Sequence, residues 1–236
     1  MDAKDMGNRL LAEIVGTFGF FFIGFSGIAA SVNLPGSIAP AGVAAGFGLG
    51  LGLMIAAFGQ ISGGHFNPAV TFGLAVARKF PTAAVVPYWV AQLIGGFIAV
   101  LVAALIYTND IKDSLVTNPG QGVPDWRAML AELVAVFFFV SVIITVATDD
   151  SAAWKGVMAP LAIGGFIFTA AVTIGPTSGG SFNPARSIDP AIYALEFKNL
   201  WIYIVGPLVG AFFAGALSMV LRDEVSVPEP RPGRTR

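Results

Sequence analysis

No cysteine occurs in the 236 residues, and histidine occurs once, at His65. Disulfides, thiolate nucleophiles and thiolate metal sites are thereby excluded. A single imidazole also leaves no basis for a histidine-rich metal centre or, within one chain, a Ser/His/Asp triad. Charge is scarce: Asp, Glu, Lys and Arg make up 11% of the chain, against about 25% in soluble domains. The formal net charge of −1 gives no reason to expect nucleic-acid binding. In place of charge the chain has apolar surface, 56% of its residues, with a mean hydropathy of +0.78. Several windows of roughly 20 residues hold at most one charge, the length that a hydrocarbon core about 30 Å thick requires. The short alternating segments of a transmembrane barrel are missing. These features describe an all-α polytopic membrane protein with no metal and no cofactor.

Within this apolar background one stretch occurs twice. Ser62-Gly63-Gly64-His65-Phe66-Asn67-Pro68-Ala69 returns as Ser178-Gly179-Gly180-Ser181-Phe182-Asn183-Pro184-Ala185, differing only at His65 against Ser181. The surroundings repeat as well, since Leu130-Ala131-Glu132 echoes Leu11-Ala12-Glu13. Three spanning helices are expected in the first half, over about residues 8–31, 39–60 and 82–107. The second carries Gly42, Gly46 and Gly50 on one face and Gly48 and Gly52 on another, the small-residue spacing that lets helices approach closely in lipid. Residues 68–78 are too short to span, at roughly 16 Å for a rise of about 1.5 Å per residue. The second half repeats the scheme. A fourth helix ends near residue 148, a fifth covers about 155–174, a second half-span covers 184–195, and a last helix covers 200–221.

The reading is therefore one domain over residues 1–236. It comprises repeat one (about 8–107), a linker loop (about 108–124), repeat two (about 125–222) and a disordered tail (223–236). Six transmembrane helices and two re-entrant half-helices make up the two repeats. An odd number of crossings per repeat inverts the second relative to the first. Lys4, Arg9, Arg78, Lys79, Lys155, Arg222 and the tail arginines fall on one side, and Lys112, Arg127, Lys198 and Arg186 on the other. The positive-inside rule then puts both termini in the cytoplasm. The half-spans enter from opposite faces, and their tips meet near the midplane.

Asparagine is a favoured N-cap and proline a favoured first helical residue, so Asn67-Pro68 and Asn183-Pro184 each read as a helix start. The preceding Gly63, Gly64, His65, Ser178 and Gly179 are expected to be extended backbone whose carbonyls line a path. Each helix start carries roughly half a positive charge. Two aimed at one point make a centre unfavourable for cations and for protons passing along water.

With these segments the chain resembles the aquaporin and aquaglyceroporin family, the major intrinsic proteins, over essentially all of residues 8–222. The resemblance implies a pore in each subunit of a homotetramer. It also implies a selectivity filter at Phe47, Ala171, Gly180 and Arg186, and a pore centre at Asn67, Pro68, Ala69, Asn183, Pro184 and Ala185. Strict water channels carry histidine where this chain has Ala171, and glycerol facilitators pair two aromatics with the arginine where only Phe47 stands. A wider filter is expected. Ser187 and Ala191 follow the water-channel pattern, so the signals conflict.

Phe47, Ala171 and Gly180 also read as packing residues. Glu13 and Glu132 read either as relay carboxylates or as acceptors bracing the loops, the role the family implies. His65 reads as a loop brace or a pH-sensing group. The functional reading is a passive channel for water and small uncharged solutes such as glycerol, urea, ammonia or metalloid hydroxides, and not an enzyme. It sits in the lipid bilayer of the plasma (inner) membrane and excludes protons and ions. The alternatives are a strict water channel, or an inverted-repeat secondary transporter whose only intramembrane carboxylates in the apolar runs are Glu13 and Glu132. With no thiol in the chain, mercurial reagents are expected to leave water flux unchanged. Thiol-reversible inhibition in vesicles would contradict this.

Overall fold

The computed structural model describes residues 3–107, 111–148 and 158–223, and every described element is helical. In order these are α1 (Ala3–Asn33), α2 (Pro40–Ser62), α3 (Pro68–Val76), a 3-10 turn (Thr82–Ala84), α4 (Val85–Ile106), α5 (Lys112–Leu115), α6 (Asp125–Thr148), α7 (Ala159–Thr173), α8 (Gly175–Ser178), α9 (Pro184–Ala194) and α10 (Leu200–Asp223). Five helices are long and apolar enough to cross a membrane, and α7 is a shorter apolar helix of 15 residues. The expected start of that fifth span, residues 155–158, lies almost wholly outside the described residues, as does most of the tail.

Several boundaries differ from expectation for local reasons. The first helix begins at Ala3, where the ion pair of Asp5 with Arg9 one turn later supports an added turn (3.1 Å). The first half-helix stops at Val76, because Arg78 turns left-handed at φ 58°. The linker loop contains α5, and the fifth span is followed by the single turn α8. Neither short helix carries enough apolar periodicity to be visible in sequence.

The packing is reciprocal. α1 packs on α2 and α4, and α6 on α7 and α10, while α2 and α7 join the two repeats. Each half-helix docks on the other repeat's last helix, α3 against α10 and α9 against α4. The two glycine faces of α2 serve different partners. Gly46 and Gly50 lie against Ile23 of α1, whereas Gly48 and Gly52 lie against Gly164, Phe168 and Pro160 of α7. A Cβ on Gly164 would stand 2.4 Å from the Gly48 carbonyl oxygen, while one on Gly165 would meet nothing.

This contrast is testable. Gly164→Val is expected to force α2 and α7 apart and cost about 1–3 kcal/mol, lowering the thermal midpoint in detergent. Gly165→Ala should leave the midpoint unchanged. Equal midpoints for both variants would refute the tight crossing.

Candidate functional site

Both repeated segments fold alike, because each is tied down by the same set of buried groups. Ser62 ends α2 and Ser178 ends α8, each followed by a left-handed glycine, Gly63 at φ 97° and Gly179 at φ 94°. The next glycines, Gly64 and Gly180, are also left-handed, as are Phe66 (φ 47°) and Phe182 (φ 54°). The segments are thus not uniformly extended, which corrects the sequence reading. A bulky residue in the left-handed region is strained, and a buried carboxylate holds each phenylalanine there. Glu13 accepts hydrogen bonds from the backbone N–H groups of Phe66 (2.8 Å) and His65 (3.0 Å), the Ser62 hydroxyl (2.7 Å) and the Gln92 amide (2.8 Å). Glu132 accepts from the backbone N–H groups of Phe182 (2.6 Å) and Ser181 (2.9 Å) and from the Ser178 hydroxyl (2.8 Å). Both carboxylates are fully buried. Tyr88 and Tyr203 complete the symmetry by donating to the carbonyls of Ser62 and Ser178.

Past each phenylalanine the asparagine caps its half-helix. Asn67 Oδ1 accepts from Ala69 N–H (2.8 Å), and Asn183 Oδ1 from Ala185 N–H (3.0 Å). Pro68 and Pro184 open α3 and α9, and Ala69 and Ala185 follow fully buried. The amide nitrogens cross between repeats. Asn67 Nδ2 donates to the Phe182 carbonyl (2.8 Å), and Asn183 Nδ2 donates to the Phe66 carbonyl (2.9 Å). The two helix starts are thereby joined tip to tip. The carbonyls of Ser62, Phe66, Ser178 and Phe182 are engaged within the protein, and of the carbonyls expected to line a path this removes that of Ser178.

Around these tips lies a cavity of about 20 Å3, room for about one water-sized molecule. His65, Asn67, Asn183, Phe47, Ala171 and Gly180 line it, together with Phe20, Leu51, Phe139, Ile167, Ser181 and Phe182. Above it opens a vestibule of about 450 Å3 whose walls include Phe47, Ala171, Gly180, Arg186, Thr117 and Asn118. Phe47, Ala171 and Gly180 therefore stand where the two spaces meet. Arg186 is buried, with its guanidinium 5.3 Å from the Phe47 ring and 5.8 Å from the Phe25 ring. Its Nη1 donates to the Leu115 carbonyl and the Thr117 hydroxyl. The sequence reading missed Phe20, Phe25, Phe139, Ile167 and Thr117. The apolar four are set among other apolar residues, and Thr117 sits in a loop read only as a joint.

His65 packs its ring against Phe80 and Tyr88 and places Nδ1 3.1 Å from the Thr71 hydroxyl. The Thr71 hydroxyl also donates to the Asn67 carbonyl, and the Gln92 amide reaches it as well. In the second repeat Ser181 bonds Ser187 (2.7 Å), which bonds Thr117 (2.8 Å). Among the described residues there is no group of His, Asp and Glu side chains able to hold a metal ion.

Comparison with known proteins places this arrangement in context. The chain matches the family model for major intrinsic proteins over residues 2–218. It is 39% identical over 214 residues to the probable aquaporin NIP4-2 of Arabidopsis thaliana, covering 91% of this chain and 74% of that one. It is 38% identical over 208 residues to nodulin-26 of Glycine max, covering 88% and 75%. Its fold matches the solved aquaglyceroporin from Plasmodium falciparum with a TM-score of 0.83 at 24% identity, covering 92% of this chain and 98% of that one.

Glu132→Gln puts an amide N–H where three donors converge. It is expected to lose about 1.5–3 kcal/mol and to lower the unfolding midpoint of the purified protein. An unchanged midpoint would mean that the carboxylate does not hold the second loop.

Proposed function

We propose, for a chain that belongs to the major intrinsic protein family and is therefore a passive membrane channel for water and small solutes, that its pore runs through the cavity between the two half-helix tips. One observation carries this reading. Asn67 and Asn183, from opposite repeats, bond across to each other's loop and both line the cavity. Each amide nitrogen carries a second hydrogen that a passing water or hydroxyl oxygen accepts. Two helix N-termini at the same point repel cations. No covalent chemistry is involved, since members of this family are channels and not enzymes.

In this reading Phe47, Ala171, Gly180 and Arg186 form the selectivity filter at the inner end of the vestibule, where it meets the cavity. Arg186 supplies positive charge and donors, Phe47 supplies an apolar wall, and the small Ala171 and Gly180 leave width. Neutral solutes such as glycerol, urea, ammonia or metalloid hydroxides suit that combination. Strict water passage is the second reading, favoured by the cavity below the filter, which Phe20 and Phe139 help confine to about 20 Å3. Glu13 and Glu132 act as braces rather than proton carriers, because every bond they make goes to the loops or to Gln92. His65 stiffens the first loop.

The protein is an integral membrane protein. The distribution of basic residues supports cytoplasmic termini, and the membrane is read as a plasma or inner membrane. The apolar outer groove between α2 and α7, around Gly48, Gly52 and Gly164, together with the family resemblance, supports a homotetramer.

Stopped-flow light scattering of proteoliposomes tests the reading. Osmotic water flux should rise linearly with the gradient and ignore sodium and proton gradients. A saturable, ion-driven flux would contradict a channel. Ala171→His should lower glycerol and urea flux more than water flux, and equal loss of all three would remove Ala171 from the filter.

A further inference from the structure

Asp189 lies on α9, one turn beyond Arg186, and is 1% exposed. Its Oδ2 has no hydrogen-bond partner. The carboxyl is seated on the long helix α4, where a Cβ built on Gly96 would stand 2.0 Å from Oδ2 and 2.8 Å from the Phe21 ring. Adding a bond of about 1.5 Å puts Oδ2 within about 3.5 Å of the Gly96 Cα, a Cα–H···O contact.

The internal repeat shows that packing alone does not require this carboxyl. Asn67 corresponds to Asn183, so Asp189 corresponds to Gly73. Tyr88 corresponds to Tyr203, so Gly96 corresponds to Ala211. In repeat one Gly73 meets Ala211, with a Cβ on Gly73 falling 3.1 Å from the Ala211 carbonyl oxygen. The first half-helix docks with no polar group at this point.

A charged carboxylate in such a place would lack compensation. On the elements packed against α9, Arg186 is bonded to Leu115 and Thr117, Tyr88 to Ser62, and Tyr203 to Ser178. Lys112 and Asp113 belong to α5 beyond Leu115, and Tyr193 is one turn further along α9. On α1, Glu13 is two turns before Phe21 and held by the first loop, and the ion pair among the described residues is Arg9–Asp5. A buried carboxyl without a cation takes its neutral form, and it then needs an acceptor. One turn back along α4 from Gly96 stands Gln92. Its amide hydrogens go to Glu13 and Thr71, and its buried Oε1 has no donor. The two orphans are complementary in sign.

We propose that Asp189 is a positioning residue, a neutral acid whose O–H reaches Gln92 Oε1 through one bridging water. This ties the outer half-helix to the Glu13 network of the opposite repeat. The tie sets the pose of α9, and with it Arg186, without touching solute. It rests on the pore reading above.

The test uses the full-length chain in proteoliposomes as wild type, Asp189→Asn and Asp189→Gly, the glycine being the residue that repeat one uses. The infrared difference spectrum between wild type and Asp189→Asn at neutral pH is expected to contain the C=O band of a protonated carboxyl. A carboxylate band in its place overturns the proposal, whatever the channel transports. Asp189→Asn, which keeps a donor, should preserve water flux and the ratio of glycerol or urea flux to water flux. Asp189→Gly should change one of them by about twofold or more, as loss of a network partner does. Fluxes identical to wild type in folded Asp189→Gly overturn the positioning role. If Asp189→Gly does not fold, the infrared band and the fluxes of Asp189→Ala, which also removes the carboxyl, decide in the same way. Absence of water flux in the wild type would refute the pore reading instead, and would leave the infrared result standing.

Discussion

Two amide–carbonyl hydrogen bonds cross between the repeats, and the rest of the molecule is arranged so that they can form. Asn67 must reach Phe182 and Asn183 must reach Phe66, which requires two helices to begin inside the bundle and to begin at the same point. Non-helical backbone at membrane depth is tolerated only where protein or a watery cavity satisfies it. Here the loop N–H groups beside each phenylalanine and four of the carbonyls are satisfied internally. Glu13 and Glu132 take the loop N–H groups, and Tyr88 and Tyr203 take the carbonyls where α2 and α8 end. An unpaired buried polar group costs about 1–3 kcal/mol, so each brace removes a penalty as well as making a contact.

The same constraint explains why the two halves exchange partners. A half-helix cannot bury its own sides, and each rests on the last helix of the opposite repeat. Glycines at the crossings allow that approach, as Gly73 does against Ala211 and Gly96 against Asp189. The halves then differ in the polar networks around their loops. His65, Thr71 and Gln92 link the first loop to Glu13, while Ser181, Ser187 and Thr117 lead outward to Arg186. The hydroxyl network of repeat two thus ends at the guanidinium that faces the vestibule.

Much of this was legible in the sequence because its signals are local. Asn-Pro at a helix start, serine-glycine-glycine before it and a glutamate near the start of α1 and of α6 are short-range statements, and doubling them fixed the pairing of the tips. The linings were less legible. In a membrane the lipid face and the core face are both apolar, so nothing in the pattern distinguishes Phe20, which lines the cavity, from Phe213, which lies exposed on the outer surface. Phe66 and Phe182 in left-handed backbone ran against residue preference, and only the long-range bonds to Glu13 and Glu132 account for them. Asp189 went unread because its meaning depends on Gly96, a residue with no side chain to signal the contact.

A pore built on two opposed helix starts should pass water while refusing the proton. The direct measurement is proton flux under a pH gradient, read with an entrapped dye, in the same vesicles whose osmotic water permeability is recorded. Water permeability should rise with protein content while proton flux stays at the level of protein-free vesicles. Proton flux that rises in step with water permeability would contradict it.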